Sequence, residues 1–372
     1  MNNEKQEWYV INDIESTDSP CLVIYRQRLL ENIRTLISMT DDITRLRPHV
    51  KTHKISEIAI LMINAGIKKF KCATIAEAEM LAISGASDVL IAYQLTAPKI
   101  RRFIGLIKKY PFTKFSCVID NIFSAKKLAA KAQENNLIVP AYIDLNVGMN
   151  RTGIMPGEEA IDLYKQCDKI GSLKIAGLHV YDGQIRNRDF KQRTIECDRA
   201  FEPVIRMQDI LIKEGYDEPI IIAGGSPTFP IHVQRKKIEC SPGTFIFWDY
   251  NYQSNCPEQS FKPCALVIAR VISLPSKNII CIDLGHKSVA SENELSKRVY
   301  FLNATGLKFI SQSEEHLVAS VSEGSFKVGD VLYGLPYHIC PTVALYERAL
   351  VMQDHRLSDE WKIIARDRKI NV

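Results

Sequence analysis

Two histidines and two lysines fall within the eight residues Arg47-Pro48-His49-Val50-Lys51-Thr52-His53-Lys54, a segment that Pro48 stiffens. The segment follows a short strand-like run at residues 43–46 and precedes a helical pattern. If Val50 packs inward, His49 and Lys51 share the opposite face, because the side chains of a strand alternate. The pattern therefore predicts a strand whose end delivers reactive groups, and the alternative is a solvated basic turn.

Lys51 is the candidate nucleophile of this segment. A lysine amine can bond covalently to a carbonyl compound, and we hypothesise that Lys51 carries pyridoxal phosphate in this way. His49 lies beside it and is a candidate catalytic partner.

The length and composition of the chain limit the number of domains and the classes of protein to which it could belong. A chain of 372 residues predicts two domains, or one large barrel with an addition. The 46% hydrophobic and 24% charged residues are ordinary for a globular protein. The net charge of +5 is spread along the chain, which disfavours nucleic-acid binding.

The cysteine pattern and the lack of a long apolar run both favour a cytoplasmic protein. Ten cysteines occur without a CxxC pair, which favours free thiols in a reducing compartment. Residues 1–8 are polar, and no apolar run approaches the roughly 18–20 residues that span a bilayer. We therefore expect a soluble cytoplasmic protein that does not bind membranes.

Apolar runs alternate with helical patterns through the first two thirds of the chain. The strand-like runs lie at 43–50, 68–73, 88–92, 115–119, 139–146, 174–180, 219–223 and 238–240. Alternating strands and helices are typical of parallel βα units. Eight such strands favour a TIM-type (β/α)8 barrel over a doubly wound sheet, and we assign residues 20–255 to it.

Closely spaced strand patterns without helical periodicity follow the barrel. They lie at 265–272, 278–283, 299–301, 316–320 and 331–335. We therefore predict an antiparallel β domain over residues 256–372, completed by the N-terminal segment 1–19.

Polar residues and glycines follow the predicted barrel strands, at the rim where barrels carry function. Two glycine loops, after strands seven and eight, are candidates for binding a phosphate group, although such triplets are often plain turns. They contain Gly224, Gly225, Ser226, Thr228, Gly243 and Thr244.

Two residues beyond neighbouring strand ends are further candidates for contacting the cofactor. Arg151 could hydrogen-bond the phenolic oxygen of the cofactor, or else form a surface salt bridge. Tyr181 could stack on the cofactor ring or belong to the core. His179 lies inside its strand, and we assign it to packing or to supporting the site.

His338 and Cys340 form a candidate metal pair in the β domain. On an extended segment they would face the same way, and imidazole with thiolate suits zinc. A buried cysteine beside a hydrogen-bonded histidine is the alternative.

These residues together resemble the fold-type III pyridoxal phosphate enzymes of the D-threonine aldolase and D-serine dehydratase group, which shares its barrel with alanine racemase. The resemblance covers nearly the whole chain. It is carried by residues 47–54, 71–79, 144–153, 223–229, 241–244 and 338–343.

The resemblance implies roles for the candidates. Lys51 matches the lysine that binds the cofactor, Arg151 the arginine at its phenolic oxygen, and the glycine loops the phosphate binders. His338 and Cys340 match ligands of a divalent metal, zinc or manganese. The resemblance also implies a homodimer in which each β domain closes the partner's active site.

Two positions depart from the group, and they bear on the reaction. Gln184 stands where the group often has histidine, and Cys340 matches the dehydratase branch, whereas some aldolases have aspartate there. Whole-chain similarity favours D-threonine aldolase, which cleaves a D-3-hydroxy amino acid to glycine and an aldehyde. D-serine dehydratase, which releases a 2-keto acid and ammonia, is the alternative. An amino-acid racemase and a non-catalytic pyridoxal phosphate carrier are further alternatives.

Overall fold

The protein is described from a computed structural model, which covers residues 6–321 and 326–372. Residues 1–5, part of the segment predicted to complete the β domain, lie outside the described residues. The chain forms two compact units. The barrel unit comprises Leu36–Gly243 and Ile364–Val372, and the β unit comprises Met1–Thr35 and Thr244–Ile363.

The barrel unit contains a curled sheet of seven parallel strands whose spatial order follows the chain order, as the βα alternation predicts. Its strands are β2 (Lys69–Cys72), β3 (Asp88–Ile91), β4 (Lys114–Ile119), β5 (Val139–Leu145), β6 (Leu173–Val180), β7 (Ile220–Ala223) and β8 (Ile238–Cys240). The helices are α2 (Ser56–Asn64), α3 (Ile75–Ile83), α4 (Ala97–Lys109), α5 (Ile122–Gln133), α6 (Glu158–Asp168), α7 (Phe190–Lys213) and α8 (Phe229–His232).

The predicted first barrel strand, residues 43–50, is wrong as a strand. The segment forms two 3-10 turns, Ile43–Arg45 and Val50–Thr52, joined by extended backbone. Single bridges, Leu46 to Cys240 and His49 to Lys71, connect it to β8 and β2. Pro48 has no N–H to extend a ladder, while side-chain acceptors of Asp42 and His49 stabilise the two turns. The segment therefore closes the curled sheet without adding an eighth ladder.

The β unit contains a nine-stranded, mainly antiparallel sheet, as the closely spaced strand patterns predict. The strands are β1 (Cys21–Tyr25), β9 (Ala265–Ser276), β10 (Ile279–Ile282), β11 (Val299–Phe301), β12 (Lys308–Gln312), β13 (Leu317–Ser320), β14 (Val331–Pro336), β15 (Arg348–Gln353) and β16 (Arg356–Lys362). Their order in the sheet is β12-β13-β10-β9-β1-β15-β16, and β14 pairs with both β9 and β11.

Parts of the β unit differ from the expectation. Strand β1 pairs with β9 and β15, although residues 20–255 were assigned to the barrel. The described residues of the β unit also include three α-helices, α1 (Arg26–Ser38, ending just inside the barrel unit), α9 (Tyr250–Asn255) and α10 (Ile339–Val343). Strands β12, β15 and β16 were not predicted. The largely exposed strands β12 and β16 lack the alternation of a half-buried strand.

Two general expectations can be compared with the described residues. All ten cysteines are free, as predicted. Among residues 6–321 and 326–372, no helix is both long enough and apolar enough to cross a bilayer.

Candidate active site

Lys51 lies in the middle of the 3-10 turn Val50–Thr52, between β8 and β2 at the carboxyl ends of the strands. The side chains of His49 and Lys51 do not alternate as they would in a strand, because the backbone turns at Val50. Val50 is nevertheless fully buried, and the Lys51 side chain is half-buried. The turn thus presents the lysine at the rim.

His49 supports the turn that carries Lys51. The backbone N–H of Lys51 donates a hydrogen bond to Nδ1 of His49 at 3.2 Å. Burial, and then the positive charge of Lys51, hold the pKa of His49 well below its ordinary value. His49 is therefore neutral near pH 7, and its Nδ1 is engaged with the backbone.

The ring of Tyr181 is the point where three cationic side chains meet. Its centroid lies 5.7 Å from Nζ of Lys51, 5.8 Å from Nζ of Lys71 and 5.0 Å from Cζ of Arg151. Tyr181 directly follows β6, and Arg151 lies on the loop after β5. The structure therefore brings the predicted residues Lys51, Arg151 and Tyr181 together, and adds Lys71.

The loop after β7 packs against this ring. Gly224 has a φ of +77°, and a Cβ there would lie 2.7 Å from Cδ2 of His232. A Cβ on Gly225 would lie 3.2 Å from Cε2 of Tyr181. Glycine is thus required at position 224 and keeps the backbone close to the aromatic ring at position 225.

A hydrogen bond links the two glycine loops. The N–H of Gly243 donates to Oγ of Ser226 at 3.2 Å, and the N–H of Gly225 donates to Oγ1 of Thr228 at 3.3 Å. A Cβ on Gly243 would approach the carbonyl oxygen of His49 to 3.1 Å. Thr244, the next residue, is buried and begins the β unit.

Asp182 holds the first glycine loop through two side-chain contacts. Its Oδ1 accepts a hydrogen bond from Oγ1 of Thr228 at 2.8 Å, and its Oδ2 pairs with Nε2 of His232 at 2.7 Å. Burial acts to raise the pKa of Asp182, but His232 and Thr228 lower it below its ordinary value. The sequence gives no sign of this pairing, because the partners are 50 residues apart.

Asp182, Cys197 and His232 hold ligand-type atoms within 4.8 Å of one another, a spacing that a metal ion could bridge. The guanidinium of Arg235 donates to Nδ1 of His232 and to the thiol of Cys197. A second cation beside that guanidinium is electrostatically disfavoured. We therefore assign the cluster to a hydrogen-bond network that supports the loop.

A second buried network lies beneath the Tyr181 ring. Lys71 on β2 is 2% exposed, and its Nζ lies 3.4 Å from Nε2 of His179. Nδ1 of His179 lies 2.7 Å from Oδ1 of Asp144. From the sequence, His179 was assigned to packing or support, and Lys71 was not identified as a candidate. The sequence signal that could have identified Lys71 is the presence of a lysine within a parallel strand that is buried on both faces.

These residues fit pyridoxal phosphate. Lys51 offers an amine for its carbonyl group, and the nearby cations offset its negative charge. Oγ of Ser241, beside the second glycine loop, is buried and has no hydrogen-bond partner among the described residues. This unpaired hydroxyl donor, beside two glycine loops that leave the backbone uncovered by side chains, suits a phosphate group.

His338 and Cys340 lie in the β unit, and the expectation that they share the face of an extended segment is wrong. His338 is the extended residue before α10, and Cys340 lies in its first turn. The two side chains are nevertheless hydrogen-bonded to each other. A five-residue helix containing Pro341 is too short to show helical periodicity in the sequence.

One acidic side chain, Glu292, contacts this pair. Nδ1 of His338 lies 2.5 Å from Oε1 of Glu292, and both side chains are about half exposed, at 45% and 46%. Burial acts to lower the pKa of His338, but hydrogen bonds to Cys340 and Glu292 raise it to about 9. Sγ of Cys340 lies 3.9 Å from Oγ1 of Thr244. Imidazole and thiolate, with a carboxylate orienting the imidazole, are a donor set that fits zinc.

Sequence families match both parts of the chain. Residues 24–251 match the family described as the alanine racemase N-terminal domain. Residues 264–352 match a serine dehydratase domain.

Named relatives match over almost their full length. The chain is 25% identical to a D-threonine aldolase of an Arthrobacter species, over 94% of this chain and 93% of that protein. It is 24% identical to a 3-hydroxy-D-aspartate aldolase of Paracoccus denitrificans, over 95% and 93%.

A solved structure supports the fold. The D-threonine aldolase of Filomicrobium marinum superposes with a TM-score of 0.87 at 23% identity, covering 94% of this chain and 96% of that one. This likeness confirms the predicted alanine racemase-like fold.

Proposed function

Because the chain belongs to the alanine racemase N-terminal domain family, we propose that it is a pyridoxal phosphate- and metal-dependent lyase acting on D-3-hydroxy amino acids. The favoured reaction is the retro-aldol cleavage of D-threonine to glycine and acetaldehyde. One observation carries the proposal: Lys51 and Arg151 meet at the Tyr181 ring, which packs against the first of two linked glycine loops. The aldolase relatives favour this reaction.

Each barrel residue has a distinct part in this proposal. Lys51 would hold the cofactor through its amine, and Arg151 would bind its phenolic oxygen. Gly225, Ser226, Ser241 and Gly243 would hold its phosphate. When bound, pyridoxal phosphate supplies an electron sink for the bond that breaks at the substrate's Cα.

His49 is a positioning residue in this account. It is buried and neutral, and its Nδ1 holds the backbone N–H of Lys51, so it fixes the direction in which the lysine leaves the turn. Lys51 is then the group on this turn that can carry a proton at Nζ.

His338 and Cys340 would bind a divalent metal, zinc or manganese, with Glu292 orienting the imidazole. The metal, when bound, supplies a Lewis acid for the β-hydroxyl of the substrate. We further propose the homodimer that the family resemblance implies. Sedimentation analysis tests it, and a monomer at working concentration would contradict it.

D-serine dehydratase is the second candidate. It is favoured by the match of residues 264–352 to a serine dehydratase domain and by a thiol at position 340. Both reactions act on a β-hydroxyl, so the same metal pair could serve either.

Product analysis separates the candidates. The purified protein is incubated with D-threonine, D-serine and 3-hydroxy-D-aspartate, with and without a chelator. Glycine with an aldehyde supports the aldolase, and a 2-keto acid with ammonia supports the dehydratase. Inversion of the α-carbon without cleavage indicates a racemase, and cofactor binding without turnover indicates a carrier; either result would contradict the proposed lyase.

A further inference from the structure

Lys71 is a buried amine without a countercharge in contact. It lies on β2 with 2% of its surface exposed, and within the described ranges no carboxylate oxygen lies within 4.0 Å of its Nζ. Its hydrogen-bond partner is Nε2 of His179, at 3.4 Å. Burying an unpaired ammonium is costly, so the position calls for a reason other than packing.

Asp144 holds the imidazole of His179 in one tautomer. Nδ1 of His179 must donate to Asp144, because a carboxylate only accepts, and this leaves Nε2 to accept from Lys71. Gln94 donates to Oδ2 of Asp144 at 2.7 Å and so fixes the carboxylate. Asp144 and His179 therefore aim the Lys71 amine and place a negative charge behind the imidazole.

Charged groups on three neighbouring elements determine how readily Lys71 holds its proton. Lys51 and Arg47 face it from the closing segment, together with His49, and Asp144 and Asp182 face it from the ends of β5 and β6. Burial, followed by the repulsion of Lys51, lowers the pKa of Lys71 to about 7, while the two aspartates oppose that shift. The amine therefore exchanges its proton near neutral pH.

The amine is also directed at the candidate site. Nζ of Lys71 and Nζ of Lys51 lie at nearly equal distances, 5.8 and 5.7 Å, from the centroid of the Tyr181 ring. The site thus contains two amines, of which the proposed function uses one.

We propose that Lys71 is the proton carrier of the cleavage reaction, an assignment that rests on the proposed function. Cleavage of D-threonine removes one proton from the β-hydroxyl, and the formation of glycine adds one proton to Cα. Lys71 as an amine takes the hydroxyl proton while the Cα–Cβ electrons pass to Cα. As an ammonium it then gives the proton to Cα, so no proton is gained or lost overall. His179 and Asp144 are its positioning residues.

The first test follows the amine directly, whether or not the enzyme turns over. The full-length protein is labelled with [13Cε]lysine, and the lysine signals are followed by NMR from pH 5 to 11. A signal with a midpoint near pH 7 should disappear in Lys71→Met and persist in Lys174→Met, an exposed control on the same barrel. Asp144→Asn should lower its midpoint. If the signal lost in Lys71→Met titrates near the ordinary pH 10.5, the proposal is overturned.

The second test isolates the proton transfer. The cofactor-loaded enzyme is incubated with glycine in D2O, and exchange of the α-proton is followed by NMR. Lys71→Met and Lys71→Arg should slow exchange on the order of 100-fold while the cofactor's visible absorbance is retained. Arginine keeps the positive charge but does not release a proton. Exchange at the wild-type rate in both variants would overturn the assignment.

The two tests fail separately from the proposed function. If the unaltered enzyme neither cleaves hydroxy amino acids nor exchanges glycine, the lyase proposal fails, and with it the role given to Lys71. The NMR midpoint would still report the buried amine. If the enzyme cleaves D-threonine and Lys71→Met cleaves it equally fast, the lyase proposal stands and this inference is wrong.

Discussion

The barrel unit and the β unit carry opposite kinds of chemistry. In the barrel unit, Lys51, Lys71 and Arg151 direct positive charge at one aromatic ring. In the β unit, His338 and Cys340 combine an imidazole and a thiol with the carboxylate of Glu292. The first arrangement suits an anionic ligand and the second a metal cation. Under the proposed function, the barrel unit would hold the cofactor and the β unit would hold the metal.

The candidate residues of the two units also differ in how deeply they are buried. Lys71, His179 and Asp144 are at most 5% exposed, so desolvation is the leading influence on their pKa values. His338 and Glu292 are about half exposed. We infer that the barrel unit tunes proton transfer through desolvation, whereas the β unit keeps a donor pair accessible to an ion from solution.

Apart from the loss of Lys51, the largest fall in turnover should follow from removing the candidate metal ligands His338 and Cys340. His338→Ala and Cys340→Ser should each lower turnover by about 100-fold or more, because a Lewis acid contributes several kcal/mol to catalysis. Cofactor absorbance should persist, because the lysine lies in the other unit. Turnover and bound metal are measured together. His316→Ala, at an exposed histidine of the same unit, is the control. Full turnover after removal of all metal would contradict the proposed role.

Lys71 should give the protein a distinctive pH dependence of stability. Its pKa is lowered from 10.5 to about 7, so the unfolded chain binds more protons between those values. The lysine therefore makes the free energy of unfolding rise with pH in this window, by about 1.4 kcal/mol per pH unit. Lys71→Met should remove that slope.

Urea denaturation at pH 7 and pH 9 measures the effect, with Lys174→Met as the exposed control. Parallel pH dependence in wild type and Lys71→Met would show that the buried amine keeps an ordinary pKa.

The loop anchor should give a smaller effect, on stability and on cofactor affinity. Thr228→Val removes the donor to Asp182 and the acceptor of the Gly225 N–H, which should cost about 1–3 kcal/mol of unfolding free energy. Thr96→Val is the matched control, because Thr96 precedes α4 without a side-chain capping bond. Equal losses in both variants, measured by urea denaturation, would show that the loop network is unimportant.

Sequence patterns anticipated the parts of the fold that depend on local order. Alternating apolar runs and helices predicted the parallel strands β2 to β8, and the two glycine loops were found from their positions after strands. The closing segment was predicted as a strand because Val50 fits an alternating pattern. Its conformation depends instead on the missing N–H of Pro48 and on side-chain acceptors.

Long-range partners were beyond the reach of the sequence. Asp182 pairs with His232, and Lys71 pairs with His179, although the two residues of each pair lie on different elements or loops of the barrel unit. The neighbouring cations that shift the pKa of Lys71 become visible only when the curled sheet is closed. Local patterns thus located Lys51 but gave no sign of the second amine.

The most direct test of the account is the visible absorbance that pyridoxal phosphate gains when it is bound through a lysine. Wild-type protein incubated with the cofactor should show this absorbance, and Lys51→Ala should lose it together with turnover. Lys174→Ala should retain both. Persistence of the absorbance in Lys51→Ala would contradict the assignment of Lys51 and with it the proposed active site.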